Sequence, residues 1–231
     1  MTNRVFLHQV SLFSDLSDMD LRELESVVRE RSFRKNEVIF HAQEPGNALF
    51  VIKRGRVKIS MDDRGGREII LRILEAGDFF GEMSLLDGEP RSATVTSLEP
   101  CQALILFREQ FLRFIPRHPE VVMKMLTALS RRLRKADEKI SRLVFADAYE
   151  KVASVLMDII EERKIPLNVG TEIPNSLTRK ELANLAGLSR ETLTRVIADF
   201  QRAGLVRIEG RRITIVNPTK LKHEATRSIS L

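Results

Sequence analysis

The chain has 231 residues, of which 43% are hydrophobic and 30% charged, values that are ordinary for a globular protein with one large or two small domains. A single cysteine, Cys101, excludes a disulfide framework within one chain and an all-cysteine zinc or iron–sulfur site. The four histidines are scattered, no apolar stretch approaches the ~18 residues that span a bilayer, and the N-terminal segment turns acidic before a signal-peptide core develops. We therefore expect a cytoplasmic protein without a metal site.

The net charge of +6 is concentrated near one end of the chain. Residues 1–175 carry 27 Lys and Arg against 27 Asp and Glu, whereas residues 176–231 carry 11 against 5. This asymmetry predicts a polyanion-binding module attached to a neutral one, and the alternative is a basic, solvated surface.

The first half of the chain changes from helical to β periodicity. Residues 16–30 are predicted to form a short helix that Ser17 caps. From about residue 31 to 107, short β-rich runs alternate with turn residues such as Arg64-Gly65-Gly66. About eight short strands at this spacing predict a β-sandwich, a roll or a barrel.

Beyond Arg117 the pattern becomes helical for almost thirty residues, and Pro119 suits the first turn of a helix. Apolar residues follow in 3-4 spacing over about three heptads, at Leu126, Leu129, Leu133, Ala136, Ile140 and Leu143. This seam predicts a dimerising coiled coil, and the alternative is packing within one chain.

The last quarter of the chain combines two helix signals. After a helix over about 148–163 and a loop-like stretch with two prolines, Thr178 and Glu181 form a capping box. Gly187 suits the left-handed residue that ends a helix, and Ser189 can cap the next one. Two short helices joined in this way predict a helix-turn-helix, and the alternative is a helical hairpin with a charged solvent face.

The second of these helices carries the chemistry of base recognition. Its outward residues near the N-terminus are Arg190, Glu191, Thr194 and Arg195. Arg can donate two hydrogen bonds to guanine, and Glu can accept one from cytosine. Residues 205–216 alternate as two strands around Glu209-Gly210, so we predict a β-hairpin wing whose Arg211 and Arg212 meet phosphate. Together these features predict DNA binding.

A further motif lies at residues 79–95, FFGEMSLLDGEPRSATV. Gly81 permits close approach of the backbone, Glu82 can accept from a hydroxyl, and Arg91 can donate two hydrogen bonds to an anion, beside the hydroxyl of Ser92. By spacing alone, Glu82 and Arg91 fit a buried ion pair as well as a ligand site.

The motif resembles the phosphate-binding cassette of cyclic nucleotide-binding domains. With Ser189-Arg-Glu-Thr192 and the heptad helix, the chain from about residue 10 to 217 resembles the CRP/FNR family of bacterial regulators. The resemblance implies an α+β fold with three parts: a cyclic nucleotide-binding β-roll (1–117), a dimerisation helix and hinge (118–146) and a winged helix-turn-helix (147–231).

The resemblance also implies roles for individual residues. Arg91 and Ser92 would hold the cyclic phosphate, and Glu82 would accept from the ribose 2′-hydroxyl. The implied ligand set is Gly81, Glu82, Met83, Ser84, Arg91, Ser92, Leu71, Leu74, Ala136 and Asp137. The implied DNA set is Thr178, Arg179, Ser189, Arg190, Glu191, Thr194, Arg195, Arg211 and Arg212.

Two departures from the family concern the base. Ala136 and Asp137 stand where the family presents a Thr-Ser pair to adenine, and Arg72 replaces a small polar residue. A carboxylate such as Asp137 can accept from two adjacent donors of guanine. The family resemblance nevertheless favours cAMP over cGMP as the effector.

The sequence is thus interpreted as a homodimeric transcriptional regulator without catalytic residues, controlled by a cyclic nucleotide. Its implied partners are a near-palindromic double-stranded DNA site and RNA polymerase. The alternatives are a ligand-independent factor, a regulator that responds to cGMP or a cyclic dinucleotide, and a signalling module that binds a protein partner instead of DNA.

Overall fold

The structure is a computed structural model that describes residues 2–63, 65–66, 68–173, 177–210 and 212–227, without the side chains of residues 138, 139 and 142–145. The chain divides into two compact units, Met1–Arg134 and Lys135–Leu231. The α+β class predicted from the sequence is confirmed.

Two short helices open the first unit, α1 (Asn3–Gln9) and α2 (Asp18–Val27). The predicted cap is present, because the Ser17 hydroxyl accepts from the Asp20 amide and the Asp20 carboxylate accepts from the Ser17 amide. The predicted helix over residues 16–30 was too long at its end. Residues from Arg29 onward extend into a strand that pairs with the last strand of the roll.

In the part of the first unit that the structure describes, eight strands and one short helix follow. They are β1 (Arg29–Phe33), β2 (Val38–Phe40), β3 (Ala48–Arg54), β4 (Val57–Asp62), β5 (Glu68–Leu74), β6 (Phe79–Phe80), α3 (Glu82–Asp87), β7 (Thr94–Ser97) and β8 (Cys101–Phe107). All pairings are antiparallel, in two sheets of order β1-β8-β3-β6 and β2-β7-β4-β5. The prediction of about eight short strands in a β-sandwich, a roll or a barrel is confirmed.

The core of the first unit has two clusters. One joins the N-terminal helices to β3, β8 and the helical segment after the roll, and it includes Phe13, Leu104 and Phe111. The other fills the interior between the sheets, where the ring centroids of Phe40, Phe50 and Phe80 lie 4.9–5.8 Å apart and Phe50 stacks on Phe80. Two of these rings, Phe40 and Phe50, face the Arg91 guanidinium of the cassette motif.

The roll is followed by α4 (Arg108–Phe114), a 3-10 turn at Ile115–Arg117, and the long helix α5 (Pro119–Phe145). The sequence did not predict α4, but it did predict α5 and its first-turn proline. Val121, Met125 and Leu129 pack α5 against the N-terminal core. Leu129 therefore differs from Leu126, Leu133 and Ile140, which lie seven residues apart and remain 51%, 64% and 60% exposed.

The second unit contains α6 (Ala148–Glu162), β9 (Glu172–Ile173), α7 (Arg179–Ala186), α8 (Arg190–Arg202), β10 (Val206–Glu209), β11 (Arg212–Ile215) and α9 (Pro218–Ala225). Its three strands pair in the order β10-β11-β9, so part of the stretch predicted as a loop before Leu177 is a strand of the wing sheet. The helix α9, which the sequence did not predict, packs on α6 through the buried Leu221 and a hydrogen bond from Ser154 Oγ to the Ala225 carbonyl.

Among the described residues, no helix combines the length and the apolar character that crossing a membrane requires.

Candidate functional site

The cassette motif is built around a buried guanidinium. Arg91 is 5% exposed, and it donates from Nη1 to the Gly81 carbonyl (2.9 Å) and from Nη2 to the Ala48 carbonyl (3.0 Å). Its guanidinium carbon lies 4.2 Å from the centroid of the Phe40 ring, a cation–π distance. Burial lowers the pKa of Arg91, while Glu82 and Glu44 oppose that effect. The third donor, Nε, is buried and has no hydrogen-bond partner among the described residues.

Two glycines make room for this side chain. A Cβ on Gly46 would lie 2.4 Å from Arg91 Nε, and one on Gly81 would lie 2.7 Å from Arg91 Nη1. Gly81 also has a φ of 81°, a left-handed conformation that costs other residues free energy, and it is the N-cap of α3. The local sequence Phe80-Gly81-Glu82 thus places a strand end, a tight turn and a helix start directly at the arginine.

Glu82 already has a charged partner. Its Oε1 accepts from Arg132 Nη1 at 2.6 Å, and the carboxylate side chain is almost fully buried. Arg132 lies on α5, donates a second hydrogen bond to the Phe79 carbonyl and stacks 4.5 Å from the Phe79 ring centroid. Glu82 therefore forms a buried ion pair with Arg132 and not with Arg91, the partner that the spacing of the motif allowed.

The other predicted ligand residues are spread over several environments. Ser84 is buried in α3, whereas Met83 and Ser92 are exposed and touch each other, with the Ser92 hydroxyl 3.5 Å from the Met83 sulfur. Leu74 lies in the interior cluster. Leu71 is 41% exposed, at the irregularity where Ile59 pairs with Arg72 and Ser60 with Ile70.

The two positions predicted on the long helix, Ala136 and Asp137, are both exposed. They belong to the second unit, whereas the cassette belongs to the first. Their role toward the base therefore stays a prediction.

The second unit presents the predicted recognition helix. Ser189 Oγ accepts from the Thr192 amide at 3.1 Å and so caps α8, while Leu193, Val196 and Phe200 bury its inner face. The opposite face exposes its polar side chains, which are Arg190, Glu191, Thr194 and Arg195. The α7 cap at Thr178 and the left-handed Gly187 (φ 64°) between the helices are present as predicted.

Local contacts modify these exposed groups. A hydrogen bond from its own amide and another from Ser189 lower the pKa of the Glu191 carboxyl, which favours an acceptor without a proton. Thr194 Oγ1 donates to the Arg190 carbonyl at 2.7 Å, so that proton is already used within the helix. Tyr149 Oη donates to Asp199 at 2.6 Å and so fixes α8 to α6.

Three arginines remain from the predicted DNA set. Arg179 is half-buried, and burial lowers its pKa; its Nη1 has no partner within the described part of the chain. Arg212 is exposed and lies 3.3 Å from the Glu172 carboxylate of β9. Arg211 lies outside the described residues.

Sequence reasoning did not single out Gly46, Phe40 or Arg132 as parts of the cassette site. Gly46 and Phe40 lie far along the chain from Arg91 and meet it only when the two sheets of the roll pack. Arg132 is one of several arginines on the exposed side of a predicted helix, and its partner Glu82 is 50 positions away. The sequence shows only that Arg132 lies on a face of the predicted helix different from that of Leu126, Leu133 and Ile140.

Comparison with known proteins gives consistent results for both units. The family described as cyclic nucleotide-binding domain matches residues 30–118, and the Crp-like helix-turn-helix domain matches residues 150–224. The cyclic AMP receptor protein of Thermus thermophilus is 36% identical over 197 residues, which are 85% of this chain and 88% of that protein. The CRP-like cAMP-activated global transcriptional regulator of Mycobacterium tuberculosis is 30% identical over 219 residues, which are 95% of this chain and 98% of that protein.

A solved structure agrees with these relatives. The catabolite activator protein of Thermus thermophilus matches with a TM-score of 0.54 at 33% identity, over 94% of this chain and 99% of that one. The chain therefore belongs to the CRP/FNR family of transcriptional regulators.

Proposed function

We propose that this protein is a homodimeric DNA-binding transcription factor whose affinity for its site is controlled by a cyclic nucleotide bound in the β-roll. The observation that carries the proposal is the pairing of two built features in one chain. One is a buried arginine whose Nε has no acceptor among the described residues, and the other is a capped helix with an exposed Arg-Glu-Thr-Arg face.

The effector part of the proposal depends on Arg91. Its Nε is a buried donor of a positively charged group, and burying such a donor without an acceptor costs folding free energy. The exposed hydroxyl of Ser92 is next to it in the chain. A cyclic phosphate supplies the anionic acceptor that both groups fit. We propose that the Glu82 carboxylate, which already accepts from Arg132, also accepts from the ribose hydroxyl. We propose that Gly81, Met83 and Ser84 line the nucleotide pocket around these groups.

The DNA part depends on α8. An N-terminal turn with exposed Arg190, Glu191 and Arg195 suits the major groove, because its donors match guanine and its carboxylate matches cytosine. The family resemblance implies a half-site like TGTGA. Arg212 on β11 suits a phosphate contact, with Arg211 as its predicted neighbour. Thr178, Arg179 and Ser189 would contact the backbone beside the helix starts.

The dimer depends on the exposed stripe of α5. Leu126, Leu133 and Ile140 repeat every seven residues and are at least half exposed, a pattern that needs an apolar partner. A second copy of α5 supplies the same stripe. A symmetric dimer would then read two half-sites about one helical turn, ~34 Å, apart.

The relatives named for cAMP make adenine the first expectation for the base. Their function also suggests RNA polymerase as a partner and the cytoplasm as the place of action, because the regulated DNA is there. No catalytic role is proposed for Glu82 or Arg91.

The test is an electrophoretic mobility shift of a near-palindromic DNA with the purified protein, with and without cAMP or cGMP. We expect binding that strengthens at least tenfold with one nucleotide. Equal binding without nucleotide would favour the ligand-independent factor. Nucleotide binding without any DNA shift, at low salt and on several sequences, would favour a signalling module acting on a protein.

A further inference from the structure

We infer that Arg72 reads the base of the effector and selects guanine, so that the protein responds to cGMP in preference to cAMP. The inference rests on the proposed function, because it assumes that a cyclic nucleotide occupies the cassette. It departs from the expectation that the names of the relatives give.

The first step is the direction in which Arg72 leaves its strand. Between Arg72 and Leu74 the pairing of β5 with β4 is regular, with Ile59 opposite Arg72, Lys58 opposite Ile73 and Val57 opposite Leu74. Side chains two residues apart on a regular strand share a face. Leu74 enters the interior cluster with Phe50 and Phe80, so Arg72 projects from β5 on the interior side of the roll and not toward bulk solvent.

The second step is the position of its guanidinium. Arg72 is half-buried, and its Nη2 lies 3.5 Å from the carbonyl oxygen of Arg132 on α5. The side chain of that same Arg132 holds the Glu82 carboxylate at 2.6 Å. Arg72, Arg132 and Glu82 therefore form a continuous polar series along one side of the cassette, within the first unit.

The third step is the orientation of the ligand. If the phosphate is bound at Arg91 and Ser92, and the ribose hydroxyl at Glu82, the nucleotide extends from the arginine end of the cassette toward Glu82. The base is attached to the ribose on the side away from the phosphate. It then comes to lie where Arg132 meets Arg72.

The fourth step is the chemistry of the two purines. A guanidinium carries only donors, arranged as a planar fork. Guanine presents two adjacent acceptors, O6 and N7, and Arg with that pair is the commonest specific contact to a base. Adenine presents N7 next to the N6 amino group, so one arm of the fork would face a donor. Discrimination of about tenfold or more follows from one such bidentate contact.

This mode differs from the one in which Asp137 accepts from guanine. The carboxylate would read N1 and N2, whereas Arg72 reads O6 and N7. Cyclic inosine monophosphate keeps O6 and N7 but lacks the 2-amino group, and 7-deaza-cGMP keeps the amino group but lacks N7. The two analogues separate the two modes without any mutation.

The experiment is isothermal titration calorimetry of the purified full-length protein with cGMP, cAMP, cyclic inosine monophosphate, 7-deaza-cGMP and cyclic di-GMP. We expect cGMP to bind about tenfold or more tightly than cAMP, and cyclic inosine monophosphate to stay within about threefold of cGMP. Removal of N7 should weaken binding about tenfold. Arg72→Ser should lower the affinity for cGMP to that for cAMP, while Arg54→Ser, an exposed arginine of β3, should change neither.

The possible outcomes separate the inference from its rivals. Wild-type protein that binds cAMP at least as tightly as cGMP overturns the inference and leaves the proposed function standing. The inference is also overturned, in favour of Asp137, if cyclic inosine monophosphate binds much more weakly than cGMP while 7-deaza-cGMP binds as tightly as cGMP. Binding of cyclic di-GMP alone, or of no nucleotide, overturns the inference and the proposed cyclic mononucleotide site together. Should Arg72→Ser fold poorly, Arg72→Gln and the analogues still decide.

Discussion

Arg91 is expected to stabilise the β-roll as well as to bind the effector, and Arg91→Ala separates these two roles. In the structure its guanidinium donates to the Gly81 and Ala48 carbonyls, and it stacks on Phe40. Truncation leaves both carbonyls without their charged donor. Hydrogen bonds to charged groups contribute about 1.5–3 kcal/mol each, so we expect a loss of roughly 3–6 kcal/mol in the free energy of unfolding. That is a large part of the ~5–15 kcal/mol of a typical domain.

The measurement is urea unfolding followed by circular dichroism, with the midpoint and slope fitted for each unit's transition. Arg113→Ala is the matched control, because Arg113 is also an arginine of the first unit but is exposed and paired with Glu109 on the surface. The free energy of unfolding of Arg113→Ala should stay within about 0.5 kcal/mol of the wild-type value. Arg91→Lys keeps the charge and one donor nitrogen, so we expect an intermediate loss of stability.

Nucleotide titration of the same variants completes the test. In Arg91→Lys the Nε donor is gone while most of the roll is retained, so nucleotide affinity should fall by about 2–5 kcal/mol or vanish. Equal stability of wild type and Arg91→Ala would refute the idea that the two carbonyls hold this side chain. Unchanged nucleotide affinity in Arg91→Lys would refute the anion site.

Three further predictions concern the dimer and the DNA. Leu133→Glu places paired charges in the exposed stripe of α5, so sedimentation should show monomers with weak DNA binding, whereas Arg131→Glu, on another face of α5, should leave the dimer intact. Arg190→Ala should reduce the free energy of DNA binding by about 1–3 kcal/mol and relax the sequence preference at one base, which selection from random DNA would show as an altered motif. Arg212→Ala should instead weaken binding to all DNA sequences alike and reduce the salt dependence of binding by about one phosphate contact. An altered sequence motif in this variant would count against the assignment.

The features that sequence predicted well are those with local causes. The caps at Ser17, Thr178 and Ser189 depend on residues three positions apart, and all three hydrogen bonds are present. The left-handed Gly187 and the period-two strands are equally local. Such signals predicted the β-rich region, the long helix and the winged helix-turn-helix, whereas the family was identified by the resemblance of residues 79–95 and 189–192 to known motifs.

The features that sequence did not predict depend on contacts far apart in the chain. The pair Glu82–Arg132 joins the start of α3 to the long helix; Glu82 was predicted as part of the cassette, but Arg132 resembles an ordinary surface charge of a helix. The strand β9 has only two residues and exists because β11 pairs with it. The spacing of Leu129 in the seam was correct, but that side chain packs against the N-terminal core. Periodicity gives a face of a helix and does not say which neighbour covers it.

The buried pair also constrains how an effector can act on the first unit. A ribose hydroxyl that binds Glu82 shares the carboxylate with Arg132, whose second donor is bonded to the Phe79 carbonyl. A ligand shifts an equilibrium only by its difference in affinity for the two states, so signalling by this route requires the nucleotide to change the contacts of Glu82, Arg132 or Arg72. Arg72 Nη2 lies 3.5 Å from the carbonyl oxygen of Arg132, so a base bound by Arg72 would act on the same turn of α5 as a ribose bound by Glu82. Under this proposal, recognition of the base and of the sugar would converge on one turn of the helix that carries the exposed leucine stripe.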